Sequence, residues 1–210
     1  MYDILMRIPL LLWVIFASTI HLFGFIQYFN TAVSLDSLKI SMRLSLIIFL
    51  LLTAAMVILR SRPSDKAAGL EPRISALVGT FLIYGITLFP RHELPPAAEV
   101  VSTLLTMVGT IAAIVALWRL GRSFSIMAES RQLVTSGPYR FVRHPLYAAE
   151  EIAMIGLFIQ FASIWTTLIL VAQIAFQLRR MQNEEVVLST AFPEYNTYRQ
   201  STARLIPGVY

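Results

Sequence analysis

The chain predicts an all-α integral membrane protein: four transmembrane helices, then a C-terminal helical hairpin, with a polar pocket at the cytoplasmic face. Three observations predict this. Of 210 residues, 57% are hydrophobic and only 14% charged, with a mean hydropathy of +0.69, well outside the range of an ordinary soluble domain. The apolar residues fall in runs of bilayer length, separated by short polar connections. The basic residues gather in alternate connections, the asymmetry that orients membrane proteins.

The first run, 8–28, is 21 residues, about 31 Å of helix at roughly 1.5 Å per residue, enough for the hydrocarbon core. It is too long for a signal peptide and no clear small-residue cleavage site follows. His21 lies deep within it and reads as a helix-packing polar residue. The second run, 40–59, stops at Arg60 and Arg62. The third, 74–89, is short and is ended by Pro90, Arg91 and His92. The fourth, 100–118, is closed by Arg119 and Arg122. The polar connection 60–73, with Pro63, Asp65, Gly69 and Pro72, reads as a plain linker.

The stretch 152–178 is too long for one straight crossing, about 40 Å against a core of roughly 30 Å. Gln160 and Ser163 near its middle offer a turn. Charge favours a hairpin. With both ends on one side, Arg7, the 60–73 and 119–146 connections and the 179–204 tail collect 14 of the 17 basic residues, leaving Lys39, Arg43 and Arg91 opposite. The positive-inside rule then puts the N- and C-termini in the cytoplasm. The chain divides into N-terminal transmembrane helices, 1–118, and a polar-rich region, 119–210, within a single membrane domain. The net charge of +5 reports this orientation, and with no unbroken basic tract it does not point to nucleic acid. Cysteine is absent, which removes disulfides, thiolate metal sites and cysteine nucleophiles; no metal ligand set is read from the sequence.

The chemistry concentrates in two segments. In Gly137-Pro-Tyr-Arg-Phe-Val-Arg-His-Pro-Leu-Tyr147, Pro145 biases His144 toward extended backbone. The chain must turn there before a helix carrying Glu150 and Glu151, and a helix start favours anions. Those two glutamates are placed in its first turn, where helix-start electrostatics explains them ahead of a ligand role. His144 taken singly is an interfacial polar anchor, and Arg140 and Arg143 fit the positive-inside bias. In Arg179-Arg180-Met-Gln-Asn-Glu184-Glu185, Arg180 and Glu184 share a helix face, and Glu185 lies about 100° round. Alone, they form an ordinary i,i+4 ion pair. Phe192, Tyr195 and Tyr198 have the look of an interfacial aromatic belt.

The combination says more. Gly137-Pro138-Tyr139-x-x-x-Arg143-His144-Pro145-x-Tyr147, a hydrophobic hairpin, then Arg180-x-x-x-Glu184-Glu185-x-x-Leu188-x-x-x-Phe192-x-x-Tyr195-x-x-Tyr198 and a closing Arg204-Leu-Ile-Pro207 resembles the isoprenylcysteine carboxyl methyltransferase family. This is a family of integral membrane S-adenosyl-L-methionine-dependent enzymes related to the phospholipid methyltransferases. The resemblance covers roughly 120–207; the four N-terminal helices match only as apolar spans. It implies a cytoplasmic-face cofactor pocket formed by His144, Pro145 and Tyr147, with Tyr139 and Arg143 at its approach. It also implies that Glu185, and with it Glu184, reaches the cofactor or reaction centre, with Arg180 nearby. Phe192 is followed by Pro193 where relatives commonly carry glycine, and Ala191 stands at a position that is often basic.

The residue types suit that cofactor. Its sulfonium cation, amino-acid carboxylate and nucleoside ask for carboxylates, an arginine and aromatic surface, and Arg143 or Arg180, Glu185, and Tyr139 or Tyr147 supply them. No glycine-rich dinucleotide-type loop is present. Methyl transfer is in-line displacement, favoured by alignment and exclusion of water. A carboxylate acceptor needs no base, whereas an amine, phenol or thiol does, for which His144 or Glu184 is a candidate. The expected acceptor is lipidic or prenyl-bearing and enters sideways from the bilayer, a prenylcysteine-like carboxylate first among the options. Two alternatives stay open: an NADPH-dependent membrane reductase of the sterol or steroid type, which shares an Arg-His-Pro-x-Tyr stretch, and a non-catalytic membrane binding protein.

Overall fold

The computed structural model describes residues 7–31 and 36–208. Helices α1 (Arg7–Thr31) and α2 (Ser37–Leu59) are joined at an N-cap, where Asp36 accepts from the backbone of Leu38 at 2.9 Å. A two-residue strand β1 (Asp65–Lys66) precedes α3 (Glu71–Phe81), which runs on as a 3-10 helix (Leu82–Leu88). Helix α4 (Pro96–Leu120) leads through strand β2 (Glu129–Ser130) and a 3-10 turn (Gly137–Arg140) to α5 (Pro145–Gln160), α6 (Ile164–Ala191) and the short α7 (Tyr195–Ser201).

Three helical stretches, Leu10–Thr31, Ser37–Leu59 and Pro96–Ser123, are long and apolar enough to cross a membrane. Large side chains such as Phe16, Phe23 and Trp118 are more than half exposed on their outer faces, the arrangement that lipid rather than water stabilises. The expected third span, 74–89, is not one α-helix. Ile83, Gly85, Ile86 and Thr87 disfavour α geometry through glycine freedom and β-branching, and the chain winds as 3-10 from Leu82. Because 3-10 rises about 2.0 Å per residue, α3 and its continuation still extend roughly 30 Å.

The expected hairpin is present. Helix α5 ends at Gln160, and Ser163 caps α6 through a reciprocal pair: Thr166 N–H donates to Ser163 Oγ at 3.2 Å and Ser163 N–H to Thr166 Oγ1 at 2.8 Å. Contacts from Gln173 to Glu151 (2.9 Å) and from Gln177 to Glu150 (3.3 Å) fix α5 and α6 as antiparallel. Helix α6 starts at Ile164, directly after the turn, and its 28 residues carry it about 42 Å. The polar segment at 179–185 therefore rides on the same unbroken helix as the apolar one.

Helices α4 and α5 touch backbone to backbone. A Cβ added to Gly109 would lie 2.4 Å from Ala153 N, and one added to Gly156 would lie 2.5 Å from Thr106 Oγ1. Ser102 Oγ donates to Gly156 O at 2.7 Å, and Gln160 Nε2 to Ser102 Oγ at 2.8 Å. Small residues and cross-helix hydrogen bonds are how apolar helices associate where burial alone gives no preference. Helix α3 is locked to α6 by Arg179 Nε donating to Glu71 Oε1 (2.8 Å) and Asn183 Nδ2 to Ser75 Oγ (3.0 Å).

The connection 60–73 is not a plain linker. Strands β1 and β2 pair antiparallel, Asp65 with Ser130 and Lys66 with Glu129. Ser61 N–H donates to Arg122 O and Arg131 Nε to Ser61 O. Together with the contacts of 137–144 and 179–204, this brings the basic connections to one end of the molecule. At the other end Lys39 Nζ meets Glu99 Oε1 at 2.8 Å and His92 N–H donates to Gln160 O at 2.9 Å.

Candidate cofactor site

The segment 137–147 is a backbone dock as well as a turn. Gly137 adopts φ +66°, and a Cβ added there would lie 3.1 Å from Arg119 Cγ, a conformation and closeness that suit glycine. After the 3-10 turn the chain straightens. Val142 forms a parallel bridge with Ala203; Arg143 N–H donates to Ala203 O at 2.8 Å and His144 N–H to Arg204 O at 3.1 Å. Pro145 then opens α5 at its first turn, where a missing N–H costs nothing.

Glu185, only 2% exposed, ties three segments together. Its Oε1 accepts from Arg143 Nε at 2.9 Å and from Arg204 Nε at 3.0 Å, and its Oε2 from Arg204 Nη2 at 2.8 Å. His144 Nε2 lies 3.2 Å from Oε1. Arg143 also donates through Nη1 to the carbonyls of Arg199 and Thr202. Burial pushes the Glu185 carboxyl up, but hydrogen bonds from His144 and Arg204, the His144 charge and the Arg143 hydrogen bond outweigh it and hold it well below its ordinary value.

Glu184 faces the other way. The Tyr147 hydroxyl donates to its Oε1. His144 Nδ1 stands 3.8 Å from Oε2, and Arg180 Nε 3.8 Å from Oε1. The Arg180 guanidinium lies over the Tyr147 ring at 4.6 Å, and the His144 and Tyr147 rings stack at 5.5 Å. Arg180 is 3% exposed and donates through Nη1 to Thr80 Oγ1 at 2.9 Å. His144 thus stands between the two glutamates, within hydrogen-bond reach of Glu185 and 3.8 Å from Glu184.

These residues border a cleft of about 730 Å³, its mouth included, with Tyr139, Arg143, His144, Tyr147 and Glu184 in its wall. The opposite wall comes from the β2 region: Glu129, Arg131 and Leu133. The Arg131 side chain has no exposure and donates through Nη2 to Glu129 Oε2 at 2.6 Å and through Nε to Ser61 O at 2.7 Å. Its Nη1 has no partner, and neither has the Tyr195 hydroxyl, also in the lining. A second cavity of about 680 Å³ adjoins the first, sharing Phe124 and Leu146 as wall. It reaches toward α1–α3 and is bordered by Trp13, Tyr84, Glu150 and Arg180.

All the residues singled out by sequence meet here. Tyr139, Arg143, His144, Tyr147 and Glu184 border the cleft, Arg180 borders the second cavity, Pro145 positions α5, and Glu185 lies behind the wall under its ring of donors. Sequence reasoning did not single out Arg131, Glu129 or Arg204 as site residues. Arg204 had a signal in the closing Arg-Leu-Ile-Pro, whereas Arg131 looked like one more basic residue in a cytoplasmic connection. Among the described residues no group of three His, Cys, Asp or Glu converges to hold a metal ion.

Residues 97–195 match a family model described as phospholipid methyltransferase. Two curated relatives are similar over shorter stretches. The nickel-cobalt-cadmium resistance protein NccN of Alcaligenes xylosoxydans xylosoxydans is 37% identical over 82 residues, 38% of each chain. The cobalt-zinc-cadmium resistance protein CzcN of Cupriavidus metallidurans is 32% identical over 112 residues, 51% of each chain. The matched region thus spans about half or less of these relatives' lengths.

Proposed function

We propose, on the premise that residues 97–195 belong to the phospholipid methyltransferase family, that this chain is a membrane methyltransferase whose cleft binds S-adenosyl-L-methionine and whose acceptor is lipophilic. The observation that carries the reading is the pairing of a fixed carboxylate with two orphaned polar groups in one cleft. Glu184, held by the Tyr147 hydroxyl, offers negative charge for a sulfonium or ammonium. Arg131 Nη1 and the Tyr195 hydroxyl, buried without partners, ask for a ligand that brings acceptor atoms. An amino-acid carboxylate supplies them, and Arg131 is the residue that would hold it. Tyr139, Tyr147 and Phe124 give the aromatic surface that cations and nucleosides favour.

When bound, that cofactor supplies an electrophilic methyl group on a positive sulfur. The protein's part is to orient and to exclude water. Glu185 acts from behind: by gathering Arg143, Arg204 and His144 it fixes the start of α5 against the C-terminal tail, which sets where Tyr147 and Glu184 stand. The second cavity, opening toward the apolar helices, suits an acceptor arriving from the bilayer. By the positive-inside bias, the end that carries the cleft is cytoplasmic.

Calorimetry and thermal denaturation of the detergent-purified protein test this. S-adenosyl-L-methionine should raise the melting temperature and NADPH should not. Glu184→Gln and Arg131→Met should each weaken cofactor binding about 10- to 100-fold, or about 1.4 to 2.8 kcal/mol, with the fold intact. A stabilising effect of NADPH alone would favour the reductase reading, and unchanged affinity in both variants would remove these residues from the site.

A further inference from the structure

Helix α2 carries a charge that the cleft does not use. Arg43 lies six residues past Ser37, where the helix begins, about 9 Å along the axis and at the end of the molecule opposite the cleft. Its guanidinium occupies the seam between α1 and α2. The carbon Cζ stands 5.3 Å from the centre of the Tyr28 ring, and a Cβ added to Gly24 would lie 3.2 Å from Nη1. Glycine at that position leaves the space that the guanidinium fills.

The charge is uncompensated. Among the described residues Arg43 forms no hydrogen bond or ion pair, and its Nε is buried without a partner. The acids at this end are Asp36, Glu93 and Glu99. The Asp36 carboxylate accepts from the Leu38 and Lys39 N–H groups, Glu99 takes Lys39 Nζ at 2.8 Å, and Glu93 is exposed on the connection before α4. A cation among apolar helices is costly unless an anion reaches it, and the planar fork of an arginine matches a phosphate through two N–H groups at once.

Depth decides which anion that is. The 23 residues of α2 span about 34 Å, a little more than the hydrocarbon core of roughly 30 Å, so the N-cap lies among the headgroups. The Tyr28 hydroxyl accepts from Asp36 N–H at 3.0 Å, which sets its ring beside that N-cap. By lying over the ring the guanidinium reaches back toward the headgroups, as long cationic side chains near helix ends do. Phe23 and Ile26 on α1 and Leu44 and Ile48 on α2 are each more than 40% exposed, an apolar surface for acyl chains. A second copy of the chain is a poorer occupant, because neither α1 nor α2 contains an Asp or Glu to meet Arg43 across a helix contact.

We infer that Arg43, with Gly24 and Tyr28, holds the phosphate of a lipid from the leaflet opposite the cleft. A basic pocket between spanning helices is a recurrent form of headgroup site. The bound lipid fastens α1, the least enclosed of the three long apolar helices, to α2. The inference is independent of methyl transfer.

Protein purified in a neutral maltoside detergent, titrated with dioleoyl phosphatidylglycerol and followed by native mass spectrometry, tests it. One phospholipid should bind ahead of any others, and dioleoylglycerol, which lacks the phosphate, should not replace it. Arg43→Gln should weaken that first binding at least 10-fold, and Arg43→Lys, which keeps the charge without the fork, should recover part of it. Among the described residues Nη1 is the one atom that a Cβ at position 24 meets. Gly24→Leu should therefore fold, push the flexible end of Arg43 aside and weaken binding as well. Arg62→Gln, exposed past the other end of α2, should bind as wild type does. Wild-type affinity in Arg43→Gln overturns the inference. Should that variant not fold, wild-type affinity in Gly24→Leu has the same force. Inorganic phosphate that displaces the lipid at the lipid's own concentration marks a soluble-anion site and overturns it too. So does a lipid-free dimer that Arg43→Gln dissociates, which would give the seam to a second copy.

Discussion

Glu184 and Glu185 are neighbours on α6, yet one full carboxylate faces the cleft and the other is enclosed by Arg143, Arg204 and His144. The division follows from the 100° step of a helix, which points consecutive side chains at different surroundings. Glu185 should therefore behave as a stability residue with a pH signature. Its folded-state carboxyl is held below the ordinary 4.5, so its contribution is fully present above that value and is lost as pH falls through the lowered folded-state value. Wild-type melting temperature should fall as pH drops below about 4.5, and Glu185→Gln should start lower at pH 7 and lose less on acidification. Glu185→Ala, which leaves Arg143 and Arg204 without their buried partner, should cost about 3–5 kcal/mol. Parallel pH slopes for wild type and Glu185→Gln in thermal melts would show that the clamp is not electrostatic. Sequence spacing pointed to Arg180 and Glu184 because i,i+4 pairing is local. It said nothing of Arg204 or Arg131 as partners, since their pairing with Glu185 and Ser61 depends on tertiary approach that no local spacing encodes.

At the scale of elements, the α4–α5 contact is the least forgiving part of the fold. Gly109 and Gly156 have backbone atoms of the facing helix where a Cβ would go, and close-packed interiors do not yield to added volume. Gly109→Ala and Gly156→Ala should each destabilise by about 1–3 kcal/mol or more. Gly85→Ala meets only Ile169 Cδ1 at 3.8 Å and should leave the melting temperature nearly unchanged. If all three behave alike in thermal denaturation, backbone approach is not what α4 and α5 depend on. Apolar run length revealed α1, α2 and α4 because bilayer thickness imposes it, and charge bias resolved the overlong stretch 152–178 into the hairpin. The break of α3 into a 3-10 stretch was less legible: the run 74–89 carries no charge, and only the cluster of glycine and β-branched residues hinted at it. Strands β1 and β2, two residues each, are too short for any period-2 pattern to register, so the connection that braces Arg131 read as a linker.

For the whole molecule, sequence and geometry bear on the same question by independent routes. Charge counting put 14 of 17 basic residues on one side, and the fold brings those same connections together through β1–β2, Arg179–Glu71 and the docking of 142–144 on the C-terminal tail. Charge bias gives a side its compartment, whereas tertiary contacts only gather segments at one end; neither alone orients the cleft. The absence of cysteine makes the combination directly testable, since any thiol introduced is the sole target of a maleimide. Ala68 in the 60–73 connection and Gln200 beside the cleft are exposed, as is Glu93 at the opposite end. With a membrane-impermeant maleimide, Ala68→Cys and Gln200→Cys should label only after the cells are permeabilised, and Glu93→Cys should label in intact cells. All three lie outside the cleft and the helix contacts, so their protein levels should match wild type. Labelling of Ala68→Cys and Gln200→Cys on opposite sides would break the hairpin topology. Labelling of both from outside would keep the hairpin but turn the cleft away from the cytoplasm, where a cytosolic methyl donor could not reach it.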